Sequence, residues 1–114
     1  MYILDTNVVS ELRKVSIGKA DEHVARWAKI TDAVDLFLSV ITIQELETGI
    51  LPTERRDPPQ GAARLHVPDP RPIRDALIAA TALVHGMTVV TRNLADFQPT
   101  GVQVLNPWQF PRYA

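Results

Sequence analysis

Four acidic side chains, Asp5, Glu45, Asp75 and Asp96, share one kind of address along the chain. Each falls just after an apolar run or in the first turn of a helical pattern. If the apolar runs are parallel strands, their carboxyl ends share one sheet edge, where open α/β sheets place their sites. Asp5, Glu45 and Asp96 then face one crevice, and Asp75 joins them if its helix points its N-terminus the same way. Four converging carboxylates repel one another, so such a set normally persists because something positive sits among them. The chain has no cysteine, and His23, His66 and His85 are not at ligand spacing. The donors are therefore hard oxygens, which suit Mg²⁺ or Mn²⁺. The chemistry of such a centre is phosphate chemistry, in which metals neutralise the scissile phosphate, activate a water and stabilise the leaving oxygen. Thr6, Asn7, Thr91 and Asn93 lie beside the acids and are expected to orient carboxylates or water.

Each residue also has an ordinary explanation. Acids at helix N-termini satisfy free N–H groups and oppose the positive end of the dipole. Thr42-Ile43-Gln44-Glu45 fits the capping-box pattern, and Asn93-Leu94-Ala95-Asp96 is a related cap. Taken singly, Glu45 and Asp96 are better explained as caps, and Asp75 is balanced between the two roles. Capping explains the set less well, because three strands deliver acids toward one edge. Thr6, Asn7, Thr91 and Asn93 have turn and cap chemistry as their alternative. The three histidines receive no catalytic role, and Trp27 and Trp108 read as packing residues. Arg13, Lys14 and Arg92 read as solvated surface, with contact to a phosphate backbone as the functional alternative.

The elements that must position these groups follow from the apolar pattern. Residues 1–4 are a short apolar run and read as a buried strand ending on Asp5, with a helix at 8–14. Residues 21–30 predict a second helix, 36–40 a second strand and 42–51 a third helix with Ile43, Leu46 and Ile50 on one face. Six of the nine prolines then fall in 52–72, which predicts a mostly irregular connection. Pro72 opens a helix running Ile73 to His85 and stopping at Gly86 as C′ residue. That helix is apolar nearly all round, so it is expected to be buried. Strands follow at 87–91 and 101–105, separated by a helical turn at 93–97. The order predicts an α/β sandwich with a mostly parallel sheet.

At 114 residues the chain is read as one domain, 1–114. Its 46% hydrophobic and 22% charged content is that of an ordinary globular protein. A net charge of −1 gives no bulk signal for nucleic-acid binding. No apolar run approaches the roughly 20 residues of a membrane span. There is no basic-then-apolar leader, so the expected location is cytoplasmic.

Four segments also carry a resemblance. They are Ile3-Leu4-Asp5-Thr6-Asn7-Val8; Ser39-Val40 with Glu45-Leu46 and Gly49-Ile50; Asp75-Ala76-Leu77-Ile78-Ala79-Ala80-Thr81-Ala82; and Thr91-Arg92-Asn93-Leu94-Ala95-Asp96-Phe97. In this order they resemble the PIN-domain ribonucleases, specifically the VapC-type toxins of type II toxin–antitoxin pairs. Any one motif is weak, but four in register are strong. The match covers about residues 1–51 and 68–108 and includes Gly101-Val102 and Leu105-Asn106-Pro107-Trp108. The resemblance implies a three-layer PIN-like sandwich and a Mg²⁺- or Mn²⁺-dependent endoribonuclease. It implies a structured RNA substrate, a cognate antitoxin whose basic C-terminal segment occupies the acidic groove, and a homodimer. The family's acids map onto Asp5, Glu45, Asp75 and Asp96, and its polar helpers onto Asn7, Thr91 and Asn93.

One departure is large. Members of that family carry a long helix, a strand and another helix between the Glu45 and Asp75 segments, and 52–72 has no room for them. Arg56-Asp57-Pro58 resembles the lead into the missing part, and Leu65-His66-Val67-Pro68-Asp69-Pro70 the lead out. An internal deletion near Gly61-Ala62-Ala63 is the expectation, leaving about four strands. The runner-up function is therefore a shortened, weak or inactive toxin relative that at most binds an antitoxin. A phosphatase of the haloacid dehalogenase type ranks low, because it needs an acid two residues after Asp5, where Asn7 stands.

Overall fold

The computed structural model describes residues 1–48 and 71–111. The connection at 52–70, the end of the expected third helix at 49–51 and the deletion placed near Gly61 lie outside the described residues. Strand β1 (Tyr2–Leu4) is central in a sheet ordered β2-β1-β3-β4, with β2 at Leu36–Leu38, β3 at Thr88–Val90 and β4 at Val104–Leu105. All three pairings are parallel. Leu4 lies opposite both Leu38 and Val90. Asp5, Ser39 and Thr91, the next residue on each strand, therefore sit at one level of the carboxyl edge.

Helices cover both faces of this sheet, as the near-continuous apolar strands require. Side-chain alternation sends Ile3 and Val89 to one face and Leu4 and Val90 to the other. On the first face they pack with Ile78, Ala79, Ala82, Phe97 and Val102, brought by α4 (Arg71–His85), α5 (Leu94–Phe97) and the chain before β4. On the second face they pack with Val8 and Trp27, from α1 (Thr6–Leu12) and α2 (Glu22–Ile30). Asp21 caps α2 by accepting from the His23 and Val24 N–H groups at 2.9 and 3.2 Å. The chain end closes over this layer. Trp108 and Phe110 pack against it, and His23 Nδ1–H donates to the Phe110 carbonyl at 2.6 Å.

Four expectations change at two of the helices. Helix α3 spans Val40–Thr48 rather than starting at Thr42. Its N-terminus is held by Ser39, whose hydroxyl accepts from the Ile41 N–H at 3.1 Å. The Thr42 hydroxyl has no hydrogen-bond partner among the described residues, so the expected capping box is not formed. Helix α4 starts at Arg71, which moves Asp75 out of its first turn. It is also not buried all round. Asp75, Ile78, Ala79 and Ala82 face the sheet, while Ile73, Leu77, Leu83 and Val84 are exposed. A helix on one face of a sheet has only one buried stripe, whatever the composition of its far side. Its end matches expectation: Gly86 adopts φ +65° and the Met87 N–H reaches the Ala82 carbonyl at 2.8 Å.

Candidate active site

Asp5 is fixed from three sides. As the residue capping α1, its Oδ1 accepts from the Thr6 N–H at 2.8 Å. Its Oδ2 accepts from the Thr91 hydroxyl at 2.9 Å and from Asn7 Nδ2 at 3.2 Å. The Asp5 N–H continues the β1–β3 ladder to the Val90 carbonyl at 3.0 Å. Only 1% of Asp5 is exposed, so its rotamer is set by these donors. They are themselves held: Thr91 Oγ1 accepts from the Asn93 N–H at 3.0 Å, and Asn7 Oδ1 from the Arg92 N–H at 3.3 Å.

Glu45 and Asp75 join Asp5 through a residue that the sequence reading left out. Arg74 Nη1 donates to both Glu45 oxygens at 3.2 and 3.4 Å. Its Nη2 donates to Asp75 Oδ1 at 3.1 Å and lies 3.6 Å from Asp5 Oδ1. The Thr6 hydroxyl also donates to Glu45 Oε1 at 3.3 Å. Three carboxylates from β1, α3 and α4 thus converge on one guanidinium. The capping explanation fails for Glu45 and Asp75, since both stand beyond the first turns of their helices. A signal for Arg74 was present. A cation near a helix N-terminus opposes the dipole, and next to an acid proposed for the site it points to acidic partners.

Asp96 and Asn93 stand apart from this cluster. Asp96 is in the first turn of α5 and exposed, so a dipole role remains open to it. Asn93 makes no side-chain cap to α5, contrary to expectation; its backbone N–H supports Thr91 instead. Arg92 stacks over Trp108, 4.9 Å from the ring centroid.

Burial pushes the Asp75 carboxyl above the usual aspartate range; Arg74 opposes that rise, and the charges of Asp5 and Asp96 add to it. Burial would lower the Arg74 pKa, but Asp5, Glu45 and Asp75 outweigh it and raise the value. The stability consequence for Asp75 has a definite sign. A carboxyl with a raised folded pKa favours the native state below the unfolded value of 3.8 and loses that contribution as pH rises through the folded value. Asp75→Asn removes this titration. Urea melts in EDTA should therefore show the variant gaining on wild type as pH rises above about 4. A constant difference across that range would contradict the assignment.

The donor set matches a hard cation in chemistry: Asp5, Glu45 and Asp75 offer carboxylate oxygens, and a positive group already stands among them. The present spacing is that of the guanidinium, and among the described residues no three acids or histidines are grouped closely enough to hold one ion.

No family model matches the chain. VapC ribonuclease Y4jK of Sinorhizobium fredii is 31% identical over 141 residues, spanning 96% of this chain and 99% of the relative. Toxin FitB of Neisseria gonorrhoeae is 30% identical over 141 residues, with 95% and 99% covered. Among solved structures, a chain of FitAB bound to an IR36 DNA fragment matches with a TM-score of 0.66 and 26% identity, and both chains are covered in full. The two alignments run over 141 residues although this chain has 114, so both relatives carry residues that it lacks. An all-parallel four-stranded sheet, a strand-end aspartate meeting acids from two helices, and this likeness along the whole length have one common source: the chain belongs to the PIN-like VapC toxin family.

Proposed function

We propose that this chain is a Mg²⁺- or Mn²⁺-dependent endoribonuclease toxin of a toxin–antitoxin pair, hydrolysing RNA phosphodiester bonds in the cytoplasm. The observation that carries this reading is the convergence of Asp5, Glu45 and Asp75 on one cation at the carboxyl edge of a parallel sheet. With Asp96 at the rim, these are the residues that would hold the metal. When bound, such an ion supplies Lewis-acid stabilisation of phosphate charge and a water acidic enough to attack at neutral pH.

The remaining work falls to the chain's own groups. Thr91, Asn7 and the Thr6 N–H hold both Asp5 oxygens in fixed directions. Thr6 also steadies Glu45 from the α1 side. Asn93 acts through its backbone, keeping the Thr91 hydroxyl hydrogen pointed at Asp5. Asp96 is solvent-exposed, so it is the acid best placed to meet an entering phosphate or its water. No protein nucleophile is required.

A protein partner follows from the same chemistry. An acidic crevice suits a basic segment of a cognate antitoxin, and the FitAB assembly of a structural neighbour supports a partner of that kind. A homodimer is part of the same reading. The test is cleavage of structured RNA by the purified chain with Mn²⁺, expected to stop in EDTA and resume on adding metal. Cleavage unaffected by EDTA would reject the metal mechanism. A second reading, a shortened relative without activity, is favoured by the residues its relatives carry and it lacks. A cooperative melt together with no cleavage at any Mn²⁺ concentration would select it.

A further inference from the structure

We propose that Arg74 is a built-in counterion that closes the metal-free site and exchanges places with the divalent ion. This rests on reading the carboxylates as a divalent-metal centre. One guanidinium engages oxygens of all three acids: Nη1 lies 3.2 Å from Glu45 Oε1, and Nη2 lies 3.1 Å from Asp75 Oδ1 and 3.6 Å from Asp5 Oδ1. These are the oxygens that a hard cation needs, at the much shorter distance of about 2.1 Å for Mg²⁺. The guanidinium therefore occupies the place that a shared ion would take among these oxygens. A guanidinium and a divalent ion cannot both stand there, because each would place positive charge on the same oxygens at contact distance.

Two further observations bear on how firmly the side chain is held. Arg74 Nε is buried and has no hydrogen-bond partner among the described residues. A buried donor without an acceptor is unfavourable, so the carboxylates hold Arg74 in a pose that leaves a donor unmet. The Arg74 side chain is also 15% exposed, against 1% for Asp5 and 6% for Asp75. It keeps more contact with solvent than either aspartate does. Exchange makes the apparent metal affinity the intrinsic affinity reduced by the fraction of molecules with Arg74 withdrawn.

Calorimetric titration of Mn²⁺ into the metal-free protein measures this directly. With the Arg74-withdrawn state at a tenth of the population or less, Arg74→Gln should bind Mn²⁺ about tenfold more tightly than wild type, or better. Arg74→Lys separates exchange from simple charge, since an ammonium keeps the charge but cannot bridge three carboxylates in a fork. Under exchange the Lys variant also binds more tightly than wild type; binding equal to wild type overturns the proposal. A measurement on the wild type guards against misfolded variants. Saturating Mg²⁺ should shift the Arg74 Nε–Hε resonance and speed its exchange with water, and an unmoved resonance overturns the proposal. Failure of the underlying reading looks different. If no variant binds Mn²⁺, or Asp5→Asn binds it as wild type does, the metal centre itself is wrong. If wild type binds, Asp5→Asn does not, and Arg74→Gln gains nothing, only the exchange is wrong.

Discussion

Asp5→Asn and Asp75→Asn are each expected to reduce Mn²⁺-dependent RNA cleavage by at least about a hundredfold, since groups that merely support metal ligands already cost 10–100-fold when removed. The two variants reach that loss by different routes. Asp5 meets donors on both oxygens: the Thr6 N–H and Arg74 on one, Thr91 and Asn7 on the other. An Asn amide in either orientation turns its own N–H₂ toward one of these donor pairs. Asp5→Asn therefore removes a ligand charge and also disturbs α1 and the Thr91 corner. Asp75 is simpler, because its one hydrogen bond among the described residues comes from Arg74 Nη2, and an Asn carbonyl can accept it. Asp75→Asn is thus the cleaner probe, expected to lose activity while keeping the wild-type fold and a cooperative melt. RNA cleavage and circular dichroism on the same preparations read both effects. Full cleavage by both variants would remove these carboxylates from the reaction.

The sequence carried the placement of the site better than its contents. A four-residue apolar run ending on an acid, followed by a polar turn, has few readings other than a strand delivering that acid to a sheet edge, and β1 does so. Val89-Val90-Thr91 was legible in the same way, because buried parallel strands are continuously apolar. Helix starts were less legible. Ser39 and Thr42 are both competent caps, and local pattern cannot choose between them. The choice is made by the sheet, where β2 ends at Leu38 in register with Leu4 and the chain must turn at Ser39. The outer face of α4 misled because Ile73, Leu77, Leu83 and Val84 look like core, and only the packing shows that they are exposed. Arg74 is less legible, because a set of four acids points first to an external ion. The one signal is local: a cation near a helix N-terminus, beside Asp75.

Arg74 also sets the second large effect. The acids alone suggest that neutralising one of them stabilises the metal-free fold by relieving repulsion. With Arg74 among them that repulsion is already largely offset, and the destabilising change is removal of the cation. Arg74→Gln leaves Asp5, Glu45 and Asp75 without the guanidinium they share, in a site where their side chains are 1%, 12% and 6% exposed. Removing one partner from a buried ionic set costs about 3–5 kcal/mol. Glu45 and Arg74 keep some solvent contact, so the lower end, about 3 kcal/mol, is the expectation. In a domain of this size that lowers the melting temperature by roughly 10 °C, yet it lies within the 5–15 kcal/mol typical of native stability, so the variant still folds. Two measurements bear on the cause. First, Mn²⁺ at about a hundred times its Kd contributes about 2.7 kcal/mol to the form that binds it. That should restore most of the lost melting temperature in Arg74→Gln. Second, Arg74→Gln combined with Asp75→Asn should melt above Arg74→Gln alone in EDTA, because one of the uncompensated charges is gone. A double variant that melts lower would mean that Arg74 contributes through packing of its alkyl chain rather than through charge.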